Sequence, residues 1–236
     1  MARPRKFDED DVVDAARRQF SRTGFHGTSV DDLSRATGLS KGSLYGAFGD
    51  KAALFHRVFD EYCTASDHSA AARVEGPEDQ ALDRLREWLR SPEGGHDRLG
   101  CLLAKGTAEL AFEDEAVAAR SLAAFEALFD SCRRLVEQAQ RAGHVDPAAD
   151  PAVLGGVVVT THRGLEALSK AGVDAATLNR IADATIDGIA LAPARPQVQG
   201  PRSRTSPRRA APGEPGTSRR PRSPRGRQEA PGVPPA

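Results

Sequence analysis

Between Ser40 and Asp50 the chain reads SKGSLYGAFGD. Leu44 and Phe48 lie four apart and can bury one face of a two-turn helix, which leaves Lys41, Gly42, Ser43, Tyr45 and Gly46 facing outward. An ammonium at Lys41 suits a phosphate. The Ser43 hydroxyl both donates and accepts, so with Lys41 it is the best candidate for base edges, and the Tyr45 ring can touch a thymine methyl. The two glycines let a second backbone come close. Side chains of this kind on a short helix suit contact with duplex DNA; the alternative for Tyr45 is a half-buried packing role. No Ser/His/Asp set, metal-ligand spacing or phosphate loop appears in the chain.

A reading helix needs a brace, and the preceding residues supply one. Ser29 predicts an N-cap with Asp32 as the acid of a capping box. Val30, Leu33 and Ala36 line the inward face. Gly38 stands where a left-handed C-cap needs a residue without a Cβ, Leu39 fills the turn, and Ser40 caps the reading helix. Thr28 and Ser29 are expected to offer hydroxyls and free N–H groups to a phosphate. Asp50 caps a longer helix whose first residue, Lys51, is expected to meet another phosphate. Upstream, residues 8–23 predict a bracing helix with Val12, Val13, Ala16 and Phe20 inward and four acids in its first turn. Two short helices joined by a tight turn and braced by a third form a helix-turn-helix head. Arg3 and Arg5 precede it as a basic arm suited to phosphates or a minor groove, the other possibility being a solvated terminus.

The runs GLSKGSLYGAFGDKAALF and DAARRQFSRTGFHGTSVDDLSRATG closely resemble the DNA-binding signature of the TetR family of transcriptional repressors, in register from about Phe7 to about Phe59. The resemblance implies that Tyr45 lies on the DNA backbone and that the helix from Asp50 to about Arg73 joins the head to a ligand-binding body, its tilt setting the spacing of two heads in a dimer. Gly42 and Gly46 depart from many members, which often carry a larger side chain at the second position, so DNA shape would carry more of the specificity. A looser pattern, GCLL…AEL…GLEAL, resembles the regulatory domain of one subgroup.

The 236-residue chain has a net charge of zero, but the charge is segregated. Residues 1–57 carry 10 Lys/Arg against 8 Asp/Glu, residues 58–192 carry 13 against 23, and residues 193–236 carry 10 against 2. An acidic body argues against nucleic acid along it. The tail holds 11 Pro and 10 Arg with no Leu, Ile or aromatic residue, which predicts disorder. It would be either a solvated extension or a polycation that raises non-specific DNA affinity. No apolar run reaches the roughly 18 residues of a membrane span, and the charged N-terminus lacks a signal-peptide core, so a cytoplasmic protein without a membrane partner is expected. Three widely spaced cysteines suit reduced thiols rather than zinc.

The rest of the chain alternates helical patterns with breaks, and no strand pattern appears. The last two helices, 148–171 and 175–191, carry apolar residues on more than one face, which predicts a four-helix homodimer interface. Trp88, Phe112, Phe125, Phe129 and His162 could line an effector pocket or be plain core. Cys101, after a glycine at a helix start, is either a sensing thiol or an inert buried one.

The expectation is therefore an all-α protein: a head over 1–52, a regulatory and dimerisation body over 53–192, and a disordered tail over 193–236. It would act without cofactor or metal as a homodimeric, ligand-responsive repressor of a palindromic operator in double-stranded DNA, its effector an unknown small molecule. The alternatives are a sequence-tolerant architectural protein using the tail, and an enzyme with a fused head.

Overall fold

A computed structural model describes residues 7–90 and 101–191. Arg3, Arg5, the expected loop at 91–95 and the expected tail lie outside the described residues. Among these, helices alone form the regular structure: α1 (Glu9–Thr23), α2 (Val30–Thr37), α3 (Lys41–Phe48), α4 (Lys51–Val74), a 3-10 turn (Glu78–Gln80), α5 (Ala81–Arg90), α6 (Leu102–Leu110), α7 (Glu115–Arg141), α8 (Pro151–Lys170) and α9 (Ala175–Ile189). None of them is long and apolar enough to cross a membrane.

Local chemistry accounts for most boundaries. Ser29 Oγ accepts from the Asp32 N–H, and the Asp32 carboxylate accepts from the Ser29 N–H, so the capping box closes at the start of α2. Gly38 ends α2 at φ 72°, ψ 6°, a left-handed conformation that glycine adopts without strain. Ser40 and Asp50 cap α3 and α4 through the N–H groups of Ser43 and Ala53. Asp114, Asp150 and Asp174 do the same for α7, α8 and α9. The expected helix over residues 78–90 begins as a single 3-10 turn behind Pro77 before it becomes α5.

The core runs without interruption from the head into the body. Phe20 and Phe25 pack edge-on against Phe55 at 5.1 and 5.2 Å, and Phe55 stacks on Phe59 at 5.5 Å, which fixes α1 to α4. α6 lies directly on these rings: a Cβ at Gly106 would sit 2.6 Å from Phe59 Cε2. α7 packs against α4 on one side and α8 on the other, and α9 against α8 and α5. Arg86 and Arg90 tie α5 to α9 through Asp183 and Asp187.

Apolar periodicity did not always mean burial. Leu122 and Phe129 of α7, with Val153, Val157 and Leu168 of α8, keep helical spacing with buried residues and are themselves exposed. They sit on faces left exposed among the described residues.

Candidate functional site

In the head, Leu44 is buried and Phe48 is packed against the core, and this orients α3. Ser40, Lys41, Gly42, Ser43, Tyr45 and Gly46 are all exposed on it, Tyr45 at 49%. The structure therefore brings these six expected residues onto one surface. Lys41 Nζ is 2.7 Å from Asp31 Oδ1, and this hydrogen bond raises the Lys41 pKa. Both partners are solvent-exposed, and such pairs are weak, so the ammonium can exchange Asp31 for a phosphate. Nothing lies within 4 Å of a Cβ built on Gly46, and only Ser40 Oγ, at 4.0 Å, approaches one on Gly42. Packing among the described residues does not require either glycine.

Three expected contacts need correction. Thr28 is 1% exposed; its hydroxyl donates to Gly24 O at 2.5 Å and lies 2.8 Å from Thr23 Oγ1, so it closes the α1–α2 loop and cannot face DNA. Ser29 spends its hydroxyl and its N–H on Asp32, leaving neither for a phosphate. Lys51 Nζ donates to Phe25 O and Thr28 O, both at 3.0 Å, and lies 4.1 Å from the centroid of the Phe25 ring. Its ammonium staples the loop in place of meeting a phosphate.

The body contributes two residues that the sequence did not single out. Glu109 of α6 accepts from the N–H groups of Phe25 and His26, at 2.7 and 3.1 Å. Lys105, one turn earlier, donates to Ser21 O and Arg22 O, at 2.7 and 3.0 Å. Together they hold the end of α1 and the loop leading to α2. Gly24, at φ 76°, is required here for a second reason: a Cβ would fall 1.8 Å from Glu109 Oε1. Lys and Glu at i and i+4 on one face of an otherwise apolar helix were the available signal.

Of the expected effector residues, three come together. Trp88 stacks on His162 with centroids 4.0 Å apart and planes 12° apart. His162 Nδ1 lies 2.6 Å from Arg163 Nη2, and Arg163 Nη1 lies 3.1 Å from Cys101 Sγ. Cys101 is buried at the N-cap of α6. Phe125 is packed against the core. Phe129, at 42% exposed, sits on the outer surface beside Gly156, and Phe112 is fully exposed in the α6–α7 turn, so neither lines this cluster. Arg73, Arg163 and Glu166 were missed; a charged pair at i and i+3 inside the apolar run of α8 was the visible hint.

His162 is 4% exposed, and burial, helped by the guanidiniums of Arg163 and Arg73, pushes its imidazole down to about 3 from 6.5. The unfolded chain therefore binds a proton that the native state refuses. This contribution to stability is complete above pH 6.5 and lost as pH falls toward 3, at about 1.4 kcal/mol per pH unit. Urea unfolding at pH 7 and pH 5 should differ by about 2 kcal/mol from this source, and His162→Gln should remove that difference.

The description "Bacterial regulatory proteins, tetR family" matches residues 12–58, and "Tetracyclin repressor-like, C-terminal domain" matches residues 81–185. The HTH-type transcriptional repressor BdcR of Escherichia coli K12 is 34% identical over 107 residues, 44% of this chain and 54% of that repressor. This match spans about half of BdcR. The repressor ComR of the same organism is 26% identical over 78% of this chain and 90% of its own length. A TetR-family regulator from Agrobacterium tumefaciens superposes with a TM-score of 0.69 at 23% identity, over 77% of this chain and 97% of that one. The cysteine mutant of CifR solved with 26-bp operator DNA superposes at 0.67 with 23% identity, over 80% of this chain and all of that one. These likenesses agree with the all-helical fold, and the matched descriptions are those of regulators rather than of an enzyme. With a capped helix-turn-helix head and a regulatory body both matched, the chain belongs to the TetR family of bacterial transcriptional regulators.

Proposed function

We propose that this regulator is a ligand-responsive repressor that binds a palindromic operator as a homodimer in the cytoplasm. The observation that carries it is the outward face of α3, where Lys41, Ser43 and Tyr45 stand among two glycines that the protomer's own packing does not use. The operator complex of the similarly folded CifR supports placing α3 against DNA. Two such helices entering successive major grooves would be about 34–36 Å apart. Arg3 and Arg5 would add phosphate or minor-groove contacts. We take residues 1–52 as the reading head and 53–192 as the regulatory body.

Two exposed stripes support the dimer. On α8, Val153, Val157, Thr160, Gly164 and Leu168 face out at helical spacing; on α9 and just beyond it, Ile181, Ala184, Gly188 and Leu191 do the same. A Cβ at Gly164 or Gly188 would meet nothing within 4 Å among the described residues, so both helices can accept a closely packed partner.

The route from effector to DNA would run along α6. Its N-cap, Cys101, touches Arg163 of the buried cluster, and its next two turns grip the head through Lys105 and Glu109. A ligand or thiol modification that displaced the start of α6 would change that grip and hence the angle of α3, coupling the two sites through one rigid element. Sedimentation and footprinting of the purified protein test the reading. A dimer protecting two half-sites related by a two-fold axis is expected; a monomer, or protection without sequence preference at moderate salt, would refute it.

A further inference from the structure

The polar groups between α4, α5, α6 and α8 do not balance. Arg163 Nη1 pairs with Glu166 Oε2 at 2.9 Å. Arg73, at the end of α4, has no carboxylate or hydrogen-bond partner among the described residues; its guanidinium carbon lies 4.5 Å from the centroid of the Trp88 ring, and its Nη1 is buried without a partner. Arg163 Nε is also buried without a hydrogen bond. Burial holds the Arg73 guanidinium below its ordinary value and raises the Glu166 carboxyl, so the low-polarity surroundings oppose both charges. Arg163 thus has the Glu166 carboxylate, on which Lys170 also acts, and Arg73 has none among the described residues. A buried charge left unpaired is costly, and unsatisfied polar atoms in a native structure need a reason. Arg73 and Arg163 remain part-exposed as residues, so solutes can reach them.

We propose that Arg73 and Arg163, beside the Trp88–His162 stack, form the binding site of a small organic carboxylate that serves as the effector. This deepens the repressor reading and rests on it. The unpaired charge at Arg73 is a single positive one among the described residues, which a monoanion neutralises and a phosphate dianion would overshoot. A guanidinium presents two parallel N–H groups that match a carboxylate, and the half-buried Trp88 side chain lies beside that of Arg73. The bound acid would supply partners for Arg73 Nη1 and Arg163 Nε, close to the Cys101 end of α6.

Trp88 is the only tryptophan in the chain, so its fluorescence reports on this site. The experiment titrates the full-length protein, free of DNA and at constant ionic strength, with sodium benzoate, neutral benzamide and inorganic phosphate. A saturable change with benzoate, at concentrations at least tenfold below any response to the other two, is expected. Arg73→Met, which keeps most of the volume and removes the charge, should abolish that response and raise the melting temperature of the ligand-free protein, because the unpaired charge is gone. The inference is overturned if benzamide matches benzoate, if phosphate binds more tightly, if benzoate produces no saturable change, or if Arg73→Met still binds or melts lower. DNA binding by the same preparation is scored separately. Specific operator binding without a carboxylate response sinks this inference alone, and a carboxylate response without specific DNA binding sinks the repressor reading.

Discussion

The double variant Gly42→Ala/Gly46→Ala is expected to fold more stably and to bind DNA less well. Each glycine inside a helix costs about 0.5–1 kcal/mol relative to alanine. α3 is only eight residues long and contains both. The space around them is open, so two methyl groups meet no atom of the protomer closer than Ser40 Oγ at 4.0 Å. Folding stability should therefore rise by roughly 1–2 kcal/mol. If these positions let α3 seat deeply against DNA, the same methyl groups stand between the helix backbone and the duplex. A loss of at least about tenfold in operator affinity, about 1.4 kcal/mol, is then expected. Thermal denaturation and fluorescence anisotropy with an operator duplex measure the two effects, and their opposite signs separate a DNA surface from a structural one. Higher stability with unchanged affinity would mean that α3 does not approach DNA through these residues.

Gly155→Val is expected to unfold the regulatory body. Gly155 is buried where α8 crosses α7, and a Cβ there would lie 2.7 Å from Arg133 N and 3.0 Å from Cys132 C. These are backbone atoms within a 27-residue helix and cannot rotate aside. Overpacking of this kind costs about 1–3 kcal/mol, occasionally more, and a branched side chain forces the two helices apart along their length. Folded domains have only about 5–15 kcal/mol in hand. Soluble expression, far-UV circular dichroism and urea unfolding should show a protein that is destabilised by at least about 3 kcal/mol or does not accumulate. At Gly156, the next residue, a Cβ would meet only Phe129 Cε1, at an ordinary 3.8 Å, so Gly156→Ala should be tolerated. That contrast between neighbours ties the effect to the helix crossing and not to the loss of a glycine.

Features set by neighbours in sequence were legible from it. The capping box of Ser29 and Asp32, the left-handed Gly38, and the caps at Ser40 and Asp50 depend on residues two or three positions away, and the side chains of Ser29, Asp32, Ser40 and Asp50 form the expected bonds. What depends on distant residues was not legible. Thr28 looks like an exposed hydroxyl ahead of a helix, until the fold turns Gly24 O toward it. Lys51 looks like a phosphate contact, until the loop 23 residues earlier presents two carbonyls. The grip of Lys105 and Glu109 on the head spans more than 80 residues. Periodicity told which residues of α7 and α8 share a face, but Leu122, Phe129, Val153 and Val157 show that it does not tell whether the protomer covers that face. Arg73 could not be read at all, because an arginine near a helix end is ordinarily solvated and here the fold buries its guanidinium against Trp88.

The central claim is that α3 reads a specific operator, and selection of genomic DNA fragments by the purified full-length protein, run in parallel with Tyr45→Ala, tests it most directly. Tyr45 is half-exposed on the reading face, so its truncation should leave the fold intact. A single two-fold motif, enriched by the native protein and lost in the variant, is the predicted result. Broad enrichment without a motif, surviving Tyr45→Ala, would contradict it and move DNA binding away from α3.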